Sequence, residues 1–273
     1  MIARRDRMAS RMRAAGPARI VCLTEETVET LYLLGEDARI VGVSGYTVRP
    51  PRARREKPRV CAFRTADIPK IIALQPDLAL AFSDMQADIV AGLIRSGVSV
   101  HAFNQRDIAG ILDMIVTVGA LVGAQPRAQA LAESLADGLQ SAPTPGRRPR
   151  IYFEEWDEPS ISAIKWVSEL IDIAGGVDVF ADRAHGKSAS ERIVTHDEII
   201  ARAPDIIIGS WCGKKFKPEK VAAREGFSAT PAVRGGHLHE IKSPLILQPG
   251  PAALTDGLAA LRAIVTGYER THA

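Results

Sequence analysis

Short apolar runs and longer amphipathic stretches take turns along the chain from Pro17 onward. Ile20-Val21-Cys22-Leu23 reads as a strand, and residues 27–34, stopped by Gly35, as a helix. Ile40-Val41-Gly42-Val43 is the next strand. A helix over 68–74 ends before Pro76, Leu78–Phe82 follows as a strand, a helix over 86–96 stops at Gly97, and Val98–Phe103 closes the series. Strands that alternate with helices in this way predict parallel βαβ units. A helical stretch follows. Ile108, Ile111, Leu112, Ile115 and Val116 keep helical spacing behind Asp107 as cap, and Pro126 opens a second helix with the stripe Ala128, Leu131, Leu135 and Leu139. The Pro-rich segment 141–149 marks a domain boundary. Beyond Arg150 the alternation restarts: strand Ile151–Phe153, helix 163–174, helix 196–203, strand Ile206–Ile208 and a last helix from Thr255.

The restart is a repeat. Asp67-Ile-Pro-Lys-Ile71-Ile72-Ala73-Leu-Gln-Pro76-Asp77 lies over Thr195-His-Asp-Glu-Ile199-Ile200-Ala201-Arg-Ala-Pro204-Asp205 at a constant offset of 128 residues. Each copy reads as a capped short helix halted before proline, a turn and a buried strand, and Thr195 with Glu198 forms a capping box. A repeat of half the chain implies two similar α/β lobes. The expected divisions are a basic tail at 1–16, a first lobe at 17–124, a bridging segment at 125–148 and a second lobe at 149–273. Loops beyond the carboxyl ends of parallel strands then face a ligand cleft between the lobes.

Totals narrow the function. A net charge of +3 over 273 residues, with no basic helix face, argues against a nucleic-acid partner. The cluster Arg49-Pro-Pro-Arg52-Ala-Arg54-Arg55 reads first as a solvated loop and second as an anion contact. Three scattered cysteines, Cys22, Cys61 and Cys212, make neither a disulfide framework nor a metal motif. The amino terminus is basic but lacks the apolar core of a signal peptide, so the chain reads as cytoplasmic, or as one whose export signal has been removed. A monomer is expected.

The residues just past each strand are the candidate lining: Thr24-Glu25-Glu26, Ser44-Gly45-Tyr46, Phe63, Phe82-Ser83-Asp84 and Asn104 in the first lobe. In the second they are Glu154-Glu155-Trp156, Ser210-Trp211-Cys212-Gly213 and Ser243 through Pro251. Two of only three tryptophans and one of four tyrosines fall at these ends, which suits stacking on a large flat ligand. Alternatively, Trp156 and Trp211 simply cap the sheet. No nucleophile elbow, HExxH or P-loop motif occurs. His237 and His239 share a strand face without a third metal ligand and read as a polar surface.

These residues resemble the class III substrate-binding proteins of ABC importers, the vitamin B12 and ferric-siderophore type, over roughly 18–270. The carriers are Arg19-Ile-Val-Cys-Leu-Thr…Leu34-Gly35, Val41-Gly-Val-Ser-Gly-Tyr46 and the doubled I-I-A-x-x-P-D segment. Glu154-Glu-Trp156…Trp166-Val-Ser-Glu-Leu170, Trp211-Cys-Gly-Lys-Lys215 and Gln248-Pro-Gly-Pro251 look most like the cobalamin branch. The resemblance implies α/β architecture with two Rossmann-like lobes, parallel sheets and a long bridging helix over 126–140. It implies a non-catalytic corrinoid binder, with cobalamin as ligand and no cofactor or metal of its own, serving ABC import or a cytoplasmic derivative of it. The candidate ligand-binding residues are Tyr46, Phe63, Ser83, Glu155, Trp156, Trp211 and Ser243. The family docks on an ABC permease through one exposed carboxylate per lobe. Here Asp197 matches in the second lobe, while Pro69 stands at the first-lobe position with Asp67 two residues earlier. Glu191 or Arg192 occupies the place of a family tryptophan. The alternatives are a ferric-siderophore or haem binder using Arg49, Arg52 and Arg54, and a chelatase-like tetrapyrrole enzyme using His185, Glu155 and His239.

Overall fold

The computed structural model describes residues 16–140 and 147–272. The expected basic tail, apart from Gly16, and most of the expected boundary segment 141–149 lie outside the described residues. The chain divides into two compact units: residues 1–105 with 110–134, and residues 106–109 with 135–273.

In the first unit the strands are β1 (Ile20–Cys22), β2 (Ile40–Ser44), β3 (Arg59–Cys61), β4 (Leu78–Phe82) and β5 (Val100–Phe103). They form one sheet in the order β3-β2-β1-β4-β5. Every pairing is parallel, as the βαβ alternation requires. The helices are α1 (Glu25–Leu33), α2 (Ala53–Glu56), α3 (Ile68–Ala73) and α4 (Ala87–Arg95). Two more follow, α5 (Ile108–Leu121) and α6 (Gln125–Gly138), and α6 carries the chain into the second unit. Val21, Leu23, Val60, Ile71, Ala79, Ile89 and Leu93 form one core between strands and helices. A Cβ on Gly119 of α5 would stand 2.1 Å from that of Ala128, so glycine lets α5 and α6 approach closely.

The second unit is built on β6 (Arg150–Asp157) and β9 (Ile206–Gly209), with β10 (Leu238–Glu240) outside β9. β8 (Val177–Asp178) pairs in parallel with the start of β6, and β7 (Ser160–Ser162) pairs antiparallel with its end. The antiparallel strand departs from the purely parallel pattern. Only Glu158-Pro159 joins β6 to β7, a connection far too short for a parallel crossover. The helices are α7 (Lys165–Ile173), α8 (His196–Ala201), α9 (Pro218–Ala222), α10 (Pro231–Gly235), α11 (Ser243–Ile246) and α12 (Leu258–His272). Among the described residues no helix is long and apolar enough to cross a membrane.

The doubled segment repeats in structure as well as in sequence. Asp67 caps α3 by accepting from the Lys70 N–H at 2.9 Å, and Thr195 caps α8 in a reciprocal capping box with Glu198. Ile71 and Ile199 are fully buried. Gln75 and Ala203, 128 residues apart, both take a left-handed backbone (φ 49° and 41°) to turn out of the helix. One part of the repeat is invisible in the aligned stretch. Arg19, just before β1, donates Nε and Nη2 to the terminal carbonyl of Leu74 at 2.9 and 2.6 Å. Arg150, at the start of β6, does the same to Arg202 at 3.2 and 2.6 Å. Asp77 and Asp205 return the contact, accepting from the backbone N–H of Arg19 (2.6 Å) and Arg150 (2.9 Å). Each arginine thus satisfies a helix carbonyl that would otherwise lack a partner.

Candidate functional site

In a parallel sheet the chain emerges from every strand at the same edge, and a crevice opens where neighbouring strands lead in opposite directions. In the first unit that point lies between β1 and β4, and in the second between β6 and β9. The structure places named side chains at both.

At the β1–β4 point the fully buried Gln86 holds three segments together. Its Oε1 accepts from the Phe82 N–H at 3.0 Å, and its Nε2 donates to the carbonyls of Phe63 (2.9 Å) and Leu23 (3.4 Å). Phe63, half-buried, is therefore anchored through its backbone. Ser83 is buried, with a positive φ of 65°. Its Oγ accepts from the Met85 N–H at 3.3 Å and its N–H donates to the Phe103 carbonyl at 2.8 Å. Tyr46, beyond β2, is 54% exposed, its N–H bonded to the Ser44 hydroxyl at 3.2 Å. Glu25 and Glu26 open α1 as buried neighbours. Burial pushes Glu25 up to about 8, against a backbone N–H of Val48 and with help from the charges of Glu26 and Glu29. Burial likewise raises Glu26 to about 7, opposed by the Thr24 hydroxyl, which donates to it at 2.5 Å. The Cys22 and Cys61 thiols are driven to about 12 and about 11, also by burial, and stay protonated.

At the β6–β9 point Glu154 is fully buried and carries four hydrogen bonds. The Tyr152 hydroxyl and the Trp211 indole N–H each donate at 3.0 Å, and the Arg224 guanidinium donates twice, at 2.5 and 2.9 Å. Trp211 is 5% exposed and packs edge-on to Phe216. That ring fills the space where a Cβ on Gly209 would stand, 1.9 Å from its edge. Trp211 therefore caps the sheet as a core side chain. Trp156 is half-buried, its indole N–H donating to the Glu158 carbonyl at 2.9 Å. The Lys214 ammonium lies 4.2 Å from the ring centre of Trp156 and 5.2 Å from that of Trp211, and pairs with Asp157. Glu155 points away from Glu154, as strand alternation requires, and pairs with buried Arg192 at 2.6 Å. Arg192 is, with Glu191, one of the two residues that the resemblance sets at the place of a family tryptophan. Ser243 is half-buried at the first residue of α11.

The profile of the periplasmic binding protein family matches residues 20–245, most of the chain. This chain belongs to that family. A cobalamin-binding protein of Halobacterium salinarum is 24% identical over 245 residues. The match covers 86% of this chain and 66% of that protein, so the chain spans just under two thirds of its relative's length. A vitamin B12-binding protein of Vibrio cholerae is 27% identical over 198 residues, 70% of either protein. The solved structure of a possible iron-binding, periplasmic solute-binding protein from Staphylococcus epidermidis has the same fold. It matches with a TM-score of 0.77 at 23% identity, over 91% of this chain and 98% of the other.

Set beside these family members, the other sequence candidates separate. Asp197 is exposed in the first turn of α8, whereas Asp67 is engaged as the α3 cap. Arg49 pairs with Glu29 at 3.0 Å, and Arg52 lies over the Tyr32 ring and near Asp37, so the basic cluster is anchored and only partly a solvated loop. His185 lines a cavity of about 570 Å³ with Lys165, Glu169 and Asp178, while His239 stacks on His237. Among the described residues no three His, Cys, Asp or Glu side chains gather as a metal site. Sequence reading missed Gln86 and Arg224. Apart from Phe82, four residues before Gln86, their hydrogen-bond partners lie 23 to 70 residues away, beyond the reach of a local motif.

Proposed function

We propose that this family member binds a corrinoid of the cobalamin type and performs no chemistry on it. The observation that carries the reading is the aromatic provision at the strand ends, exposed Tyr46 and half-buried Phe63 and Trp156, each on a backbone fixed by hydrogen bonds or sheet pairing. Fixed aromatics offer stacking area at little entropic cost. The two relatives described as cobalamin- and B12-binding proteins support the same ligand class. The arginines that would favour an iron chelate weigh against that alternative, since Arg49 and Arg52 are paired within the first unit. Glu155 is held by Arg192, which weighs against its use as an acid or base.

Delivery to an ABC permease is part of this proposal, in a one-sided form. Asp197 is available as an anion at a helix N-terminus, and Pro69 offers no charge in the corresponding place. Calorimetric titration with cyano- and aquocobalamin tests the ligand: one site per chain with tryptophan quenching is expected, and no heat at high protein concentration overturns the reading. Pull-down with a B12-type permease tests the partner. Pro69→Glu should strengthen capture, and strong wild-type capture abolished by Asp67→Ala with folding intact would overturn the one-sided form.

A further inference from the structure

The end of β6 and the turn after β9 already hold an ammonium ion, supplied by the chain itself. The Lys214 nitrogen lies over two indole rings, 4.2 and 5.2 Å from their centres, and pairs with the Asp157 carboxylate. Two aromatic faces with a carboxylate beside them are the arrangement that selects organic cations, because the negative faces of the rings and the fixed anion act in the same direction. The two other carboxylates within the end of β6 are matched. Glu154 is answered by the doubly bonded Arg224, and Glu155 by Arg192. If Lys214 withdraws, Asp157 is the carboxylate left without its cation.

Lys214 is poorly retained compared with those arginines. Its side chain is 41% exposed, whereas that of Arg224 is 12% exposed and that of Arg192 3%. It follows Gly213, whose φ of +78° and open Cβ direction place it on a turn rather than in a packed element. Moving it into water costs its ion pair with Asp157, whose side chain is 18% exposed, and its contacts with half-buried Trp156 and buried Trp211, and the displaced ammonium is then hydrated. Trp211 itself cannot leave, since Glu154 and Phe216 fix it.

We propose that Trp156, Trp211 and Asp157 form a binding site for an organic ammonium group, which Lys214 occupies in this conformation and a ligand cation takes over. The site shares Trp156 with the proposed corrinoid ends and names the charge of what these rings receive, but it stands on the Lys214 contacts alone.

The test uses the full chain, choline as probe, and its neutral isostere 3,3-dimethyl-1-butanol, followed through the indole N–H signals in NMR. Choline should shift Trp156 and Trp211 and leave buried Trp166 unmoved. Lys214→Ala should tighten choline by about fivefold or more, Lys214→Arg should leave it within about twofold, and Asp157→Asn should weaken it by about fivefold. The isostere should bind at least about tenfold more weakly than choline. Equal affinity for the isostere, an unchanged affinity in Lys214→Ala, or no indole shift in either protein would each overturn the inference. A parallel cobalamin titration separates the two readings: no corrinoid binding with the choline response intact removes the corrinoid alone.

Discussion

Glu154 gives the sharpest test of how the second unit is held together. It is fully buried and answers one cation and two neutral donors, so Glu154→Ala removes a partner from each at once. Breaking a buried ion pair from one side costs about 3–5 kcal/mol, because the remaining charge stays desolvated without compensation. The Tyr152 hydroxyl and Trp211 indole lose an acceptor in the same event, which keeps the expected cost at the upper end, about 4–5 kcal/mol. All three tryptophans, at 156, 166 and 211, lie in the second unit, so urea unfolding followed by indole fluorescence reports on that unit directly. Arg224→Met alone should also destabilise, and Glu154→Met with Arg224→Met should recover much of the loss, since the charges then leave together. A cost below about 1 kcal/mol for Glu154→Ala, or additive costs in the pair, would refute the view of Glu154 as a hub.

The remaining expectations concern the first unit. Glu25 and Glu26 hold protons more tightly when folded (about 8 and about 7) than the ordinary 4.5 of an unfolded glutamate. Their contribution is therefore fully present below pH 4.5 and is lost as pH rises through 7 and 8, at up to about 1.4 kcal/mol per pH unit per group. Thermal melts by circular dichroism should fall over that window, and Glu25→Gln should flatten the fall; a rise in stability with pH would contradict the burial argument. Gln86→Leu strands the Phe63 carbonyl and the Phe82 N–H, with an expected cost of about 1–3 kcal/mol. It should also speed amide exchange at the ends of β1 and β4 selectively, and uniform acceleration across the unit would argue against a local clasp.

How much of this was legible beforehand depends on the range over which each interaction acts. The repeat, the Asp67 and Thr195 caps and the burial of Ile71 and Ile199 were readable because caps join residues three apart and helical periodicity is a property of one segment. The alternation of strands and helices likewise determined the parallel sheet of the first unit. Which aromatic stays half-buried and which joins the core was not local. Trp156 and Trp211 look equivalent as strand-end tryptophans, yet the latter is buried by Phe216 and bonded to a carboxylate 57 residues earlier. Arg19 and Arg150 finish helices whose ends lie 55 and 52 residues further on, and Arg224 answers Glu154 across 70. An arginine's reach and charge are the same in any stretch of sequence. Only when the sheet brings the two strand ends together is it settled which carboxylate or carbonyl must leave water there, and therefore which arginine is needed.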